Sequence, residues 1–270
     1  MKSREEFFKH YVVRNPIAHS LWRSFECERF AKEKLLHPVL DVGCGDGFFT
    51  QAVFKEKIDI GIDPDPVEVR RAVKRGNYKK VLNTGVGNLP LPDSSVQTVI
   101  SNCVLEHVPD INAGLAEIAR VLRPGGRLMM TVPSEYYNRD SFYQKLFEAA
   151  GFNQAAQWYN RSLNHVFKHY HVYGKKLWAK KFEAHGLILE KVEYIMSRRA
   201  FRVYDRFLIA AVWGKFLKAF CGRWVLIPRV WLPKVLLPFF RNTLNEQDQK
   251  GIVYFMIVRK KRLAQRSKKG

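Results

Sequence analysis

Acidic residues are scarce: 25 Asp and Glu stand against 46 Lys and Arg in 270 residues, a formal charge of +21. A chain this basic is drawn to polyanions, and nucleic acid and an anionic membrane surface are both candidates. Cysteine is also sparse. Cys27, Cys44, Cys103 and Cys221 show no paired spacing, which excludes a disulfide framework or zinc ribbon and suits a reducing cytoplasm. No apolar run approaches the ~20 residues that a membrane-spanning helix needs. Met1 to His10 is charged and has no apolar centre, so no signal peptide is expected there. These absences give a cytoplasmic expectation, with peripheral attachment to the inner membrane face alongside it. Apolar residues are not lacking: at 47% they suffice for one large domain, or one domain with an insertion.

The charge is unevenly placed. Between Arg198 and Gly270 there are 18 basic and 3 acidic residues, a surplus of 15 that leaves 6 of the total for the first 197 residues. Whatever attracts a polyanion lies mainly in the last quarter.

The chain is organised around Val39-Leu40-Asp41-Val42-Gly43-Cys44-Gly45-Asp46-Gly47. Val39, Leu40 and Val42 predict a short strand buried on both faces. Gly43, Gly45 and Gly47 allow a sharp turn and close approach to a ligand, and a helix from Phe48 would aim free N–H groups at the same place. The occupant this predicts is nucleotide-like. The dinucleotide fingerprint G-x-G-x-x-G is not met, because Phe48 takes its third glycine position. Ile58 to Asp63 reads as a second strand ending in an acid, 20 positions after Gly43, with Pro64 following. A carboxylate there suits both hydroxyls of a ribose; an ordinary turn aspartate before proline is the plainer alternative. Further strands are predicted at Lys80–Leu82, Val96–Asn102 and Arg127–Pro133, separated by helices at Val67–Arg75 and Ile111–Leu122. Arg123-Pro124-Gly125-Gly126 reads as a tight turn. Alternating strands and helices predict a parallel sheet that binds its ligand at the strand ends.

The glycine loop, then L-P-x-P-D-x-S from Leu89, S-N-x-V-L-E-H-V from Ser101 and I-A-R-V-L-R-P-G-G-R-L from Ile118 resemble the ubiquinone/menaquinone-type (type 11) group of class I S-adenosylmethionine (SAM) methyltransferases. The likeness runs from about Val39 to Ser134. It implies an α/β fold: a Rossmann-like, seven-stranded, mostly parallel sheet with helices on both faces and SAM across the ends of strands 1, 2 and 4. It implies that Asp41, Gly43, Gly45 and Gly47 border the methionine part of SAM, that Asp63 holds the ribose, and that Pro64 lies beside the adenine. Val86 and Asn102 complete the implied cofactor set. Gly85 stands where the family often has an aspartate touching the adenine amino group, so backbone and apolar packing take over that contact. Val96-Gln97 stands where the family favours Phe-Asp.

Outside this stretch, three units are expected: an N-terminal helical cap over 1–36, the methyltransferase core over 37–200 and 250–260, and an apolar, basic insertion over 201–249. The N-terminal part, interrupted at Asn15-Pro16, reads either as a packed cap or as an active-site lid. Asp140–Gly151 and Gln157–His171 are rich in Tyr, Trp and Phe; the family places its acceptor pocket here, although a plain core also accounts for them. His165, His169 and His171 suggest a metal, but nothing nearby in sequence supplies Cys or closely spaced acids, so no metal site is expected. Lys175–His185 reads as a helix, with strands at Leu187–Ile195 and Gly251–Val258. In the insertion, short apolar runs alternate with Lys215, Lys218, Arg223, Arg229, Lys234 and Arg241, and Pro228, Pro233 and Pro238 exclude one long helix. The pattern suits a segment lying in a membrane interface; a substrate lid is the alternative.

Methyl transfer from SAM is an in-line displacement that needs a positioned acceptor and, for a hydroxyl, a base. His107, after strand 4, is the candidate base or acceptor-orienting group, with a structural histidine as the alternative and Glu106 as the weaker candidate. The first expectation is an enzyme acting on O or C of a small-molecule or lipid-like acceptor at a membrane surface. The rivals are a nucleic-acid methyltransferase and a non-catalytic SAM-fold interaction protein. Against the former, Ser101-Asn102-Cys103-Val104 lacks the Asn-Pro-Pro-aromatic pattern used on exocyclic amines, and Cys103 lacks the preceding proline of cytosine C5 enzymes. The oligomeric state is open.

Overall fold

The computed structural model describes residues 2–208, 211, 220–221, 225, 227–246 and 250–262. Seven strands form one sheet in the order β3-β2-β1-β4-β5-β7-β6. They are β1 (Val39–Val42), β2 (Ile58–Asp63), β3 (Tyr78–Asn83), β4 (Val96–Asn102), β5 (Leu122–Pro133), β6 (Leu187–Met196) and β7 (Val253–Lys260). β1 to β5 pair in parallel; β7 runs antiparallel to both β5 and β6. This is the expected Rossmann-like α/β architecture, with β4 central and a register that sets Leu40 of the neighbouring β1 between Ile60 and Val99.

Period-2 alternation divides the core, as strands buried on both faces require. Leu40, Val42, Val99, Leu128, Met130, Tyr254 and Met256 share one cluster with Leu115 and Ile118 of α5 (Ile111–Val121) and Trp178 and Phe182 of α8 (Lys175–Ala184). Val39, Ile58, Ile100, Met129, Phe255 and Ile257 face the other way, onto Phe30 of α2 (Ile17–Phe30) and Ala72 of α4 (Pro66–Arg75). A third cluster joins α1 (Arg4–Val12), α2, α9 (Arg198–Arg206) and α10 (Leu232–Asn245) through Phe8, Leu21, Trp22, Phe201, Leu237 and Phe240.

Three local readings change. Residues 123–126 bend at Gly125 (φ 76°) but stay in the ladder, so β5 begins at Leu122, which pairs with Val96 across a register shift. The aromatic region after β5 is mostly helical: α6 (Phe142–Ala149) and α7 (Asn153–Phe167) occupy it. Pro238 sits inside α10 instead of breaking it. It lies on the exposed face, where the Lys234 carbonyl that loses its partner is open to water. Much of the 201–249 stretch, including 212–219, lies outside the described residues. Among the described residues no helix is long and apolar enough to cross a membrane.

Candidate active site

The site is built from the loop between β1 and α3 (Phe48–Val53). Gly43, Gly45 and Gly47 all have left-handed φ, at 69°, 52° and 75°. At Gly43 a side chain would also collide: a Cβ there would lie 2.4 Å from Cγ2 of Val104. The loop is held by Arg75, whose Nη2 meets Oδ2 of Asp46 at 2.7 Å. The amide of Gly45 donates to Oδ2 of Asp63 at 2.9 Å, and that of Asp65 to its Oδ1 at 2.9 Å, so the carboxylate at the tip of β2 faces the loop. α3 has only six residues and no side-chain N-cap bond, and the Phe48 amide is taken by Oδ1 of Asp46 at 3.1 Å. The expected spray of free helix-end donors is therefore reduced to a loop.

Asp41, Gly43, Gly45 and Asn102 line a crevice of about 250 Å³ together with Asp46, Phe48 and Glu68. Asp41 is buried, and its Oδ2 accepts from the Tyr78 hydroxyl at 2.7 Å. Burial pushes its carboxyl up to about 7, against the Tyr78 hydrogen bond. Asp63 is shifted upward too, by desolvation. Gly47 is buried at the start of α3, below the Tyr78 ring. Pro64 is exposed after β2. Val86 is packed in the main core against Gly114 of α5 and is not part of the crevice lining.

The lid alternative put the N-terminal part over the site, but sequence reasoning picked out none of the residues of this other wall as site residues. Tyr11, Asn15, His19 and Arg23 of the N-terminal helical pair close the crevice. His19 and Arg23 also line a second cavity of about 260 Å³ with Trp22, Cys103, Glu106, His107, Tyr137, Phe167, His169 and Tyr204. Glu26 lies behind this wall, fully buried. It accepts from Trp22 Nε1 at 2.7 Å, Arg23 Nη1 at 2.8 Å and Asn102 Nδ2 at 3.3 Å, which ties α2 to the end of β4. No local pattern announces this, because α2 reaches β4 only through the tertiary fold. Cys103, at φ 52°, turns the chain sharply out of β4 toward Glu106 and His107.

The second cavity is apolar along most of its wall and polar at one end. His107 stacks on His169 with ring centroids 5.1 Å apart. Burial pushes the His169 imidazole down to about 3, with the neighbouring His107 adding to the shift, so His169 is neutral. Burial also pushes the Glu106 carboxyl up to about 8. His165 is exposed, and His171 is turned to Val108 O at 2.8 Å, so the three histidines close in sequence do not converge.

The crevice fits SAM on its own features. Glycine-only backbone leaves room for close approach, Asp41, Asp46 and Glu68 supply polar side chains along the lining with Asp63 just outside it, and a separate apolar cavity shares a wall with it. When bound, SAM supplies an electrophilic methyl on a sulfonium.

The sequence pattern of the methyltransferase domain family matches residues 40–130. A protein of Mycobacterium tuberculosis described as a probable S-adenosylmethionine-dependent methyltransferase is 33% identical over 108 residues, covering 40% of this chain and 39% of the relative. An uncharacterized methyltransferase of Mycobacteroides abscessus is 34% identical over 136 residues, 47% of this chain and 51% of the relative. The chain thus spans about half, or less, of the length of these curated relatives. Among solved structures, the [4+2]-cyclase SpnF superposes with a TM-score of 0.56 at 18% identity, covering 89% of this chain and 82% of that one. Geranyl diphosphate methyltransferase, solved with GPP and sinefungin, gives 0.52 at 15% identity, covering 87% and 76%. At such identities the structural matches speak for the fold. The glycine loop and the acid at the tip of β2 fall within the matched stretch, so residues 40–130 have the sequence pattern of a methyltransferase domain, set in the fold of class I SAM-dependent methyltransferases.

Proposed function

We propose that the protein transfers the methyl group of SAM to an oxygen or carbon of a small-molecule or lipid-like acceptor at an anionic membrane surface. The observation that carries this reading is the shared wall of His19 and Arg23 between the loop crevice and the apolar cavity. Asp41, Gly43, Gly45, Gly47, Asp63 and Asn102 hold the cofactor in this reading. The acceptor body rests among Trp22, Tyr137, Phe167 and Tyr204, with its reacting atom toward Glu106 and His107. In-line attack needs the nucleophile about 3–3.5 Å from the methyl carbon. The new bond to the acceptor forms as the S–CH3 bond breaks. The sulfonium leaves as a neutral thioether, and an acceptor hydroxyl releases its proton to His107 or to water.

The surface location draws on α10 and the residues before it. Ile227, Val230, Trp231, Val235 and Phe239 are all at least half exposed, with Lys234 and Arg241 beside them. Together with the charge surplus of the last quarter, this suits insertion into an anionic interface with cations at the headgroups. In this reading residues 1–36 cap the core of 37–200 and 250–260, and 201–249 is the membrane-facing segment.

Methyl-labelled SAM incubated with the full chain and a total lipid extract, with total RNA in parallel, tests the reading. Label is expected in the lipid fraction; label in RNA and not in lipid would overturn it. The absence of any calorimetric heat with SAM at high concentration would instead leave a non-catalytic interaction protein.

A further inference from the structure

We propose that Glu106, His107 and His169 form a binding site for a divalent first-row transition-metal ion, zinc or a close relative, at the polar end of the apolar cavity. One ligand atom from each residue lies within 4.8 Å of the others. Two imidazoles and one carboxylate are a common donor set for such ions, leaving positions open for an exogenous ligand. Donors on one tetrahedral ion, each about 2.0–2.2 Å from it, stand roughly 3.4 Å apart. The three groups therefore need only small side-chain rotations to close around a cation.

Several independent features point to the same occupant. Glu106 is 1% exposed, and its Oε2 has no hydrogen-bond partner although it lines the cavity. A buried carboxyl oxygen left unsatisfied is costly, and a cation, taking the place of the carboxyl proton, would satisfy it. Each histidine turns its Nδ1 to an oxygen acceptor: His107 to the Lys168 carbonyl at 3.3 Å, and His169 to Oδ1 of Asn164 at 3.3 Å. Such partners hold the proton on Nδ1 and direct the Nε2 lone pair outward, the usual outer support of a metal-bound imidazole.

The backbone fixes the arrangement. Lys168 ends α7 with φ 53°, and the chain then docks on the segment after β4. The amides of Tyr170 and His171 both donate to the Glu106 carbonyl, at 2.8 and 3.3 Å. His169 is carried between these anchors, next to the ligands from the other loop.

The proposal concerns binding and stands whether or not the protein transfers methyl groups. Only its use rests on the methyl-transfer reading. An ion here would take an acceptor oxygen as a further ligand and ease loss of that oxygen's proton to water.

The test uses the full chain, stripped with chelator and titrated with ZnCl2 by calorimetry and with CoCl2 by visible absorption. One equivalent is expected to bind at micromolar or better affinity, with the d–d bands of a cobalt site of low coordination number. H169N and H107A should each weaken binding about 10- to 100-fold. E106Q, which keeps the buried shape, should do the same, with folding checked by circular dichroism. H165A, an exposed histidine on α7, should leave stoichiometry and affinity unchanged. No binding by the parent chain, or binding that survives in H169N, H107A and E106Q alike, would overturn the proposal.

Discussion

Asp63 is the proposed ribose ligand, and its two oxygens already accept amides of Gly45 and Asp65. A substitution there therefore acts on the loop as well as on ligand recognition. D63N keeps the size and one acceptor oxygen but loses the charge. Charge-assisted hydrogen bonds contribute about 1.5–3 kcal/mol, so SAM binding should weaken about 10- to 100-fold by calorimetry, with a fall in melting temperature because the new amide can accept only one of the two backbone N–H groups. An unchanged Kd would remove Asp63 from the cofactor set. Asp41 makes a prediction about pH. Its carboxyl is pushed up to about 7 by burial, above the value near 3.9 of an unfolded aspartate. Between those two pH values the folded state holds the extra proton, so this residue's contribution to stability falls as pH rises through the interval. A bound cationic methionine portion favours the ionised form instead. SAM affinity should rise with pH below about 7, by at most tenfold per unit, and level off above it; D41N should flatten the profile. Asp63 and the glycines were legible in the sequence because a strand, a turn and the next strand's tip lie close along the chain. His19 and Arg23 were not, since nothing local relates α2 to the crevice. The same holds for His169: its three-residue neighbourhood offers no carboxylate, whereas the fold delivers Glu106 through two backbone hydrogen bonds.

α10 shows how an element can serve two environments. Phe240 is buried, with ring centroids 5.5 Å from both Phe8 of α1 and Phe207 just after α9. Its neighbour Phe239 is 77% exposed. F240A should cost about 3–5 kcal/mol in a denaturant titration, the range for a buried phenylalanine that leaves a cavity. F239S, alone or with W231S, should move stability by less than about 0.5 kcal/mol and yet reduce binding to anionic vesicles in a sedimentation assay. Equal stability losses for the two changes would mean that the outer stripe is packed and not a docking face. The helix itself was hard to foresee. Proline counts against a helix interior, and exposure of position 238 eases only the unpaired carbonyl and not the ring clash, so the packing of Leu237, Phe240 and Leu244 must hold the helix against it. β7 was easy by comparison: its unbroken apolar run requires burial on both faces, and the sheet supplies it between β5 and β6.

At the scale of the whole sequence, positive charge and a run of exposed apolar residues occur together in the last quarter. The surplus of 15 positive charges follows Arg198, and the exposed apolar residues from Ile227 to Phe239 fall within the same quarter. The two contributions respond differently to salt. Attraction of cations to phosphates falls steeply as the screening length shrinks from ~10 Å at 0.1 M to ~3 Å at 1 M, and nucleic-acid binding through such contacts falls with it. Burial of Trp231 and Phe239 in an interface is not screened. At 0.1 M salt, both anionic vesicles and single-stranded RNA should retain the protein. At 0.5 M, RNA binding should be lost while a measurable fraction still sediments with vesicles, and that residue should disappear in the W231S/F239S variant. Vesicle binding that vanishes together with RNA binding would reduce the surface to a nonspecific cationic one. Vesicle binding that persists unchanged in the double variant would place the insertion elsewhere on the chain.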